Sequence, residues 1–259
     1  MKYFMQNIVI RVKVSIKFIL AATLGRLANI ICKFNSPLIL CYHGISTLCF
    51  NNINDITLGQ FITQIKLLKH LNYEFISLRE FEQYLNLNKL SKNYCLITFD
   101  DVPSSFMHAA RYLARENIPF AVFICTNYAE SKLGYWCNWE TLKEIEENMS
   151  VEFGSHNKHH HRLDKININD ACNEVKQSLL EIKSQLKKTT NSFAFPYGKF
   201  SKKLLAELKE IDIRPIFLTD VRKGDQYLSK YYAFRRISVD YFDSKKSFLY
   251  KIRGYYRFL

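Results

Sequence analysis

The chain has 259 residues and a formal net charge of +13, with 37 Lys and Arg against 24 Asp and Glu. A hydrophobic fraction of 48% with only 8 Gly and 5 Pro excludes a disordered or fibrous chain, and the length suits one catalytic-sized domain. The positive balance points to a polyanionic partner. The odd count of 7 Cys, with no C-x-x-C pair, argues against a disulfide framework and favours a reducing compartment.

Residues 1–36 form a first segment, apolar but interrupted by Arg11, Lys13, Lys17 and Arg26. Its longest uncharged run, Phe18 to Gly25, is too short to span a bilayer. It reads as a basic amphipathic helix at a membrane interface; the alternatives are a helix packed on the domain and a cleaved signal peptide. Residues 37–259 then form the main domain. "PLILCYHG" is a buried strand, and "TLGQFITQIKLLKHL" a helix capped by Thr57 with Leu58, Phe61, Ile65 and Leu68 on one face. Further strands are expected at "YEFISL", "YCLITFDD", "IPFAVFICT", "VEFGSH", "SFAFPYG", "IRPIFLT" and "AFRRISV". The clearest helix between them is "INDACNEVKQSLLEIKSQL", with Val175, Leu179, Ile182 and Leu186 on one stripe and Asn169 as its cap. This alternation predicts an α/β fold with a parallel sheet, better closed as a β/α barrel than left open.

Polar residues fall at the carboxyl ends of four strands: His43; Asp100 and Asp101; Ser155 and His156; Pro196 and Tyr197. In a β/α barrel that rim carries the active site, so the four ends are expected to converge. If a helical turn starts at His156, His156 and His160 share a face, as two nitrogen ligands of a metal ion require, and Asp101 can add a carboxylate. Such a two-histidine, one-carboxylate set leaves positions open for water and substrate, a hydrolytic arrangement in which Asp100 serves as general base. The plainer alternatives are that "FDD" caps a helix and "NKHHHR" is a solvated basic loop. His159 and His161 are expected to point elsewhere, one toward substrate or both into solvent.

"TFDD" at 98–101, "SHNKHHHRL" at 155–163 and "FAFPYG" at 193–198 occur in the order of the polysaccharide deacetylase motifs. With "LCYHGI", "NWETLKEI", "VEFGSH" and "FRRISV", nearly everything after Pro37 resembles this family, the NodB-homology domain of carbohydrate esterase family 4. The resemblance implies a deformed β/α barrel of about seven strands and a metal-dependent hydrolase removing an acetyl group from a sugar. It implies Asp100 as catalytic base, Asp101, His156 and His160 as ligands of a divalent metal, foremost Zn2+, and the Tyr197 backbone N–H as oxyanion donor. Asn157 stands where the family has Ser or Thr, and Val102 where Gly is common. Ala194 stands where an arginine usually orients the catalytic aspartate, a role left to Arg235 or Arg236. The family's late histidine, its general acid, has no counterpart, because no histidine follows His161. His43 is the candidate substitute, or else a hydrogen-bonded pocket residue.

Trp136, Trp139 and Tyr135 offer a sugar platform or pack under a loop, Trp139 especially. The basic, membrane-leaning character suggests an acetamido sugar of a glycan or of its polyprenyl-phosphate-linked precursor, handled at the cytoplasmic side of the inner membrane; periplasmic or exported action is the alternative. A catalytically degenerate carbohydrate-binding protein of the same fold is the other class. Nucleic acid is not expected, because Lys and Arg are spread over helices and both termini rather than gathered with aromatics in one groove.

Overall fold

The structure, a computed structural model, describes residues 36–46, 53–219 and 227–254. The expectations for the amino-terminal segment fall, Ser36 apart, outside the described residues. Strands β1 (Leu38–Tyr42), β2 (Tyr94–Asp100), β3 (Phe120–Ile124), β4 (Val151–Ser155), β5 (Phe193–Ala194), β6 (Ile216–Leu218), β7 (Ala233–Arg235) and β8 (Ile237–Ser238) make the parallel sheet. Every residue of β1 and β3 is buried, as a parallel sheet covered on both faces requires. Helices α1 (Leu58–His70), α2 (Leu78–Asn86), α3 (Met107–Arg115), α4 (Trp139–Asn148), α5 (Ile168–Leu186), α6 (Lys202–Glu210) and α7 (Lys245–Ile252) run between or after the strands. Among the described residues no helix is long and apolar enough to cross a membrane.

Local chemistry sets the helix starts. Thr57 and Gln60 form a capping box at α1, and Ser77 and Glu80 another at α2. The cap of α5 is Asn167, which accepts from the Asp170 N–H, and not Asn169. The buried stripe begins a turn before Val175, at Ala171, so the helix must start earlier than the large apolar residues indicate.

The strand order is β7–β6–β5–β4–β3–β2–β1–β8. Strands β7 and β8 are one run of chain interrupted at Arg236. The Arg236 N–H donates to Leu218 O of β6 at 2.7 Å, and the Val239 N–H to Cys41 O of β1 at 3.0 Å. Both edges of the sheet therefore meet on this segment, which makes the deformed barrel expected from the motifs, its seventh strand split in two.

Strand alternation sorts side chains into two sets. Ile39, Leu96, Ala121, Phe123, Ala194, Phe217 and Phe234 cluster with Leu78 and Phe81 of α2. Their neighbours Leu40, Tyr42, Ile97, Phe99, Val122 and Ile124 belong to a different cluster, shared with α1 and α3. Continued toward the carboxyl ends, the first set becomes Cys41 and His43, Thr98 and Asp100, His156, and Arg236. Gly154 shares that parity, and a Cβ on it would lie 2.4 Å from the Phe123 ring, so no larger residue fits beneath the site.

Candidate active site

Asp100 ends β2 and is 2% exposed. The next two residues, Asp101 (φ 62) and Val102 (φ 54), both adopt left-handed backbone. In a continuing strand the two carboxylates would leave on opposite faces. The left-handed turn brings both to His156, whose Nε2 lies 3.8 Å from Asp100 Oδ2 and 3.6 Å from Asp101 Oδ1. A β-branched residue rarely adopts this backbone, at a cost of about 1–3 kcal/mol. Val102 is held there by complete burial in the core and by its N–H donating to Asp100 O. "FDD" is therefore a turn that gathers two carboxylates and not a helix cap; the following short helical turn, Ser104–Phe106, has no side-chain cap.

His156 is buried, and its Nδ1 lies 2.9 Å from the carbonyl oxygen of Ala194 in β5. A carbonyl only accepts, so Nδ1 carries the hydrogen and the Nε2 lone pair of the neutral ring faces the aspartates. Burial lowers the His156 pKa, against the pull of Asp100 and Asp101. A nitrogen lone pair thus faces a carboxylate oxygen with no proton between them. Asp101 Oδ1 is buried and accepts no well-aligned hydrogen bond among the described residues.

His160 Nε2 lies 3.1 Å from the same Asp101 oxygen, and its Nδ1 3.2 Å from the Tyr197 hydroxyl. No helical turn joins His156 to His160. Two left-handed residues, Asn157 (φ 74) and His160 (φ 57), shape the loop instead. Asn157 O accepts from the Thr126 N–H at 3.3 Å and Lys158 O from the Asn127 N–H at 3.0 Å, so backbone groups that a helix would need are committed to the turn after β3. Asparagine tolerates that backbone through its local hydrogen bonds, and Asn157 N–H donates to Ser155 Oγ at 3.1 Å. Together Asp101, His156 and His160 offer three ligand atoms within 4.8 Å of one another. Two nitrogens and one buried carboxylate oxygen fit a divalent metal ion of the borderline class.

Asp100 faces the other way as well. Arg236 Nη1 donates to Asp100 Oδ1 at 2.7 Å and Nη2 to Oδ2 at 2.5 Å, a fork between two buried side chains. Arg236 Nη1 also reaches Thr98 Oγ1 at 3.0 Å, and Thr98 Oγ1 donates to Leu40 O at 2.7 Å. The guanidinium lies over the rings of Phe123 and Phe217, at 5.2 and 6.0 Å. Burial alone would raise the Asp100 pKa; the Arg236 charge, with His156 and His43, more than offsets it and holds the carboxyl well below the usual range. Of the two arginines left open by the sequence, Arg236 meets Asp100, whereas the Arg235 guanidinium lies 5.8 Å from the Phe200 ring centroid. His43 is half-buried at the same rim, its Nδ1 without a hydrogen-bond partner among the described residues. Cys41, which carried no signal in the sequence, donates its thiol to Asp100 Oδ2 at 3.3 Å.

Tyr197 (φ 59) and Gly198 (φ 62) turn the chain after β5. A Cβ on Gly198 would lie 2.2 Å from Thr219 Oγ1 and 2.8 Å from its backbone nitrogen. Gly198→Ala is expected to cost roughly 1–3 kcal/mol in urea unfolding; an unchanged midpoint would show that Thr219 yields freely. Trp136 stacks on Tyr128 at 4.1 Å, Tyr128 stacks on His160 at 5.6 Å, and Tyr135 meets Trp136 edge-on at 4.6 Å. Trp139 instead is buried at the start of α4. Tyr128 belongs to no motif and was found only by this contact. His159 and His161 are exposed and lie beside Glu174 of α5.

The family model for polysaccharide deacetylase matches residues 87–216, which contain both aspartates, both site histidines and Tyr197. The chain belongs to the polysaccharide deacetylase family. Its curated relatives include a poly-beta-1,6-N-acetyl-D-glucosamine N-deacetylase of Staphylococcus aureus (strain MRSA252), 26% identical over 233 residues and covering 80% of each chain. Among solved structures, the deacetylase is similar in fold to the Streptococcus pyogenes deacetylase PplD in complex with acetate, at TM-score 0.72 and 22% identity over 84% of this chain and 98% of that one. IcaB from Ammonifex degensii gives TM-score 0.72 and 22% identity over 86% and 98% of the two chains.

Proposed function

We propose that this deacetylase removes the acetyl group from N-acetylated hexosamine units of a glycan, with a divalent ion, foremost Zn2+, held by Asp101, His156 and His160. The observation that carries this reading is the convergence of the buried Asp101 oxygen, His160 and the His156 lone pair beside an Asp100 locked by Arg236. When bound, the ion supplies Lewis acidity at the acetyl carbonyl and lowers the pKa of water toward about 7. Asp100, ionised and oriented by Arg236, takes the proton of the attacking water. The Tyr197 backbone N–H donates to the oxygen that becomes negative at the acetyl carbon. His43, on the same face of the barrel as Asp100, gives a proton to the departing amine, so that water and amide become acetate and a free amino sugar. The Tyr128, Trp136 and Tyr135 rings form a wall beside His160 on which a pyranose face can lie.

The relatives' stated substrate supports an N-acetylglucosamine polymer, and the +13 charge supports a phosphate-bearing, polyprenyl-linked form of it met at a membrane surface. Acetate release from both, measured side by side, tests the reading and ranks the two carriers; binding of glycan without any acetate release would instead favour a degenerate, binding-only member. Treatment with a chelator is expected to lower acetate release by about a hundredfold or more, and to lower the thermal midpoint, with zinc restoring both. In Asp101→Ala most of that shift of the midpoint with chelator and zinc should be lost.

A further inference from the structure

The loop between β4 and α5 carries a second set of donors that the proposed reaction does not use. His159 Nδ1 lies 2.7 Å from Glu174 Oε1, and the His159 backbone N–H donates to Glu174 Oε2 at 3.3 Å, so one residue holds both oxygens of the carboxylate. The His161 ring stacks on that of His159, with centroids 5.4 Å apart and planes at 20°. One ligand atom from each of His159, His161 and Glu174 lies within 4.8 Å of the others. We propose that these three residues form a second, surface site for one divalent transition-metal ion, separate from the site of Asp101, His156 and His160.

Three features support it. Two imidazole nitrogens and one carboxylate oxygen suit zinc, nickel, cobalt or copper and disfavour magnesium or calcium, which prefer all-oxygen surroundings. The donors are also preorganised. The backbone just before them is pinned to the turn after β3 through Asn157 O and Lys158 O, and Glu174 stands on the long helix α5. Finally, His159 and His161 flank His160 in sequence but turn to α5, whereas His160 turns to Asp101. Both rings are exposed, which leaves coordination positions for water and makes this the weaker of the two sites. An ion there replaces the His159–Glu174 hydrogen bond, releasing any proton it carried, and ties the loop that bears His160 to α5.

The test is zinc titration of the tag-free full chain by calorimetry, with cobalt absorbance as an independent readout. The wild type is expected to bind two equivalents, one tight and one weaker. His161→Ala and Glu174→Gln should each weaken the second by about tenfold or more, with the tight equivalent unchanged. Asp101→Ala should lose the tight equivalent and keep the weaker one. One equivalent in the wild type, lost in Asp101→Ala, overturns the second site and leaves the proposed function standing. A second equivalent indifferent to both His161→Ala and Glu174→Gln also overturns it.

Discussion

Arg236→Met is expected to lower the free energy of unfolding by about 3–5 kcal/mol at neutral pH, the range for breaking a buried ion pair by removing one partner. Arg236 is fully buried and its fork is the charge that offsets the burial of Asp100. The loss should depend on pH in a definite direction. In the wild type the folded-state pKa of Asp100 lies below its unfolded value of about 3.9, so its contribution is present above that value and fades as pH falls through the folded one. Without Arg236 the largest charge opposing that burial is gone, the folded-state pKa is expected to rise above the unfolded one, and Asp100 then costs stability as pH climbs. The gap between the two proteins should therefore narrow toward pH about 4 and widen toward neutrality. Urea unfolding at several pH values measures it, and the double variant Arg236→Met, Asp100→Leu should regain most of the loss. A loss under about 1 kcal/mol at neutral pH, or no recovery in the double variant, would sink the account of this pair.

Asp100→Asn is expected to lower kcat for acetate release by about 10²–10⁴-fold, the range for a positioned general base. Metal content should stay near that of the wild type, because the proposed ligand set contains Asp101 and not Asp100. The substitution also leaves Arg236 without its counter-charge, so rates must be read well below the variant's thermal midpoint and per folded molecule. Asp101→Ala should lose activity together with metal, which separates the two adjacent carboxylates by function. Equal metal loss in both variants would mean that Asp100 is a ligand and that the proton acceptor lies elsewhere.

The two-residue period of "LILCYH" places Ile39, Cys41 and His43 on one face, and the same parity in "YCLITFD" places Leu96, Thr98 and Asp100 there too. The barrel interior and its polar rim were therefore legible before any contact was known. So was the cap at Thr57, because a capping side chain answers donors within three residues of itself. Asn167 was misread as Asn169 because Ala171, the first buried residue of its stripe, carries too little apolar weight to show where the stripe starts.

What the sequence by itself determined is the order of strands and helices and the metal-ligand candidates Asp101, His156 and His160, which follow from local periodicity and from spacing along the chain, together with the family, which rests on the resemblance of its motifs. Tertiary structure alone decided that Arg236, not Arg235, meets Asp100, since that depends on a strand changing partners from β6 to β1 at that residue. It alone showed that left-handed turns, not a helical one, bring the candidate ligands together, because buried backbone groups near His156 bond to a different segment. The same holds for the Ala194 carbonyl that selects the His156 tautomer, for Tyr128 against His160, and for Glu174 beside His159. Each of these contacts joins residues more than a dozen positions apart, and a pairing at that distance is chosen by how the barrel closes, which no local pattern encodes.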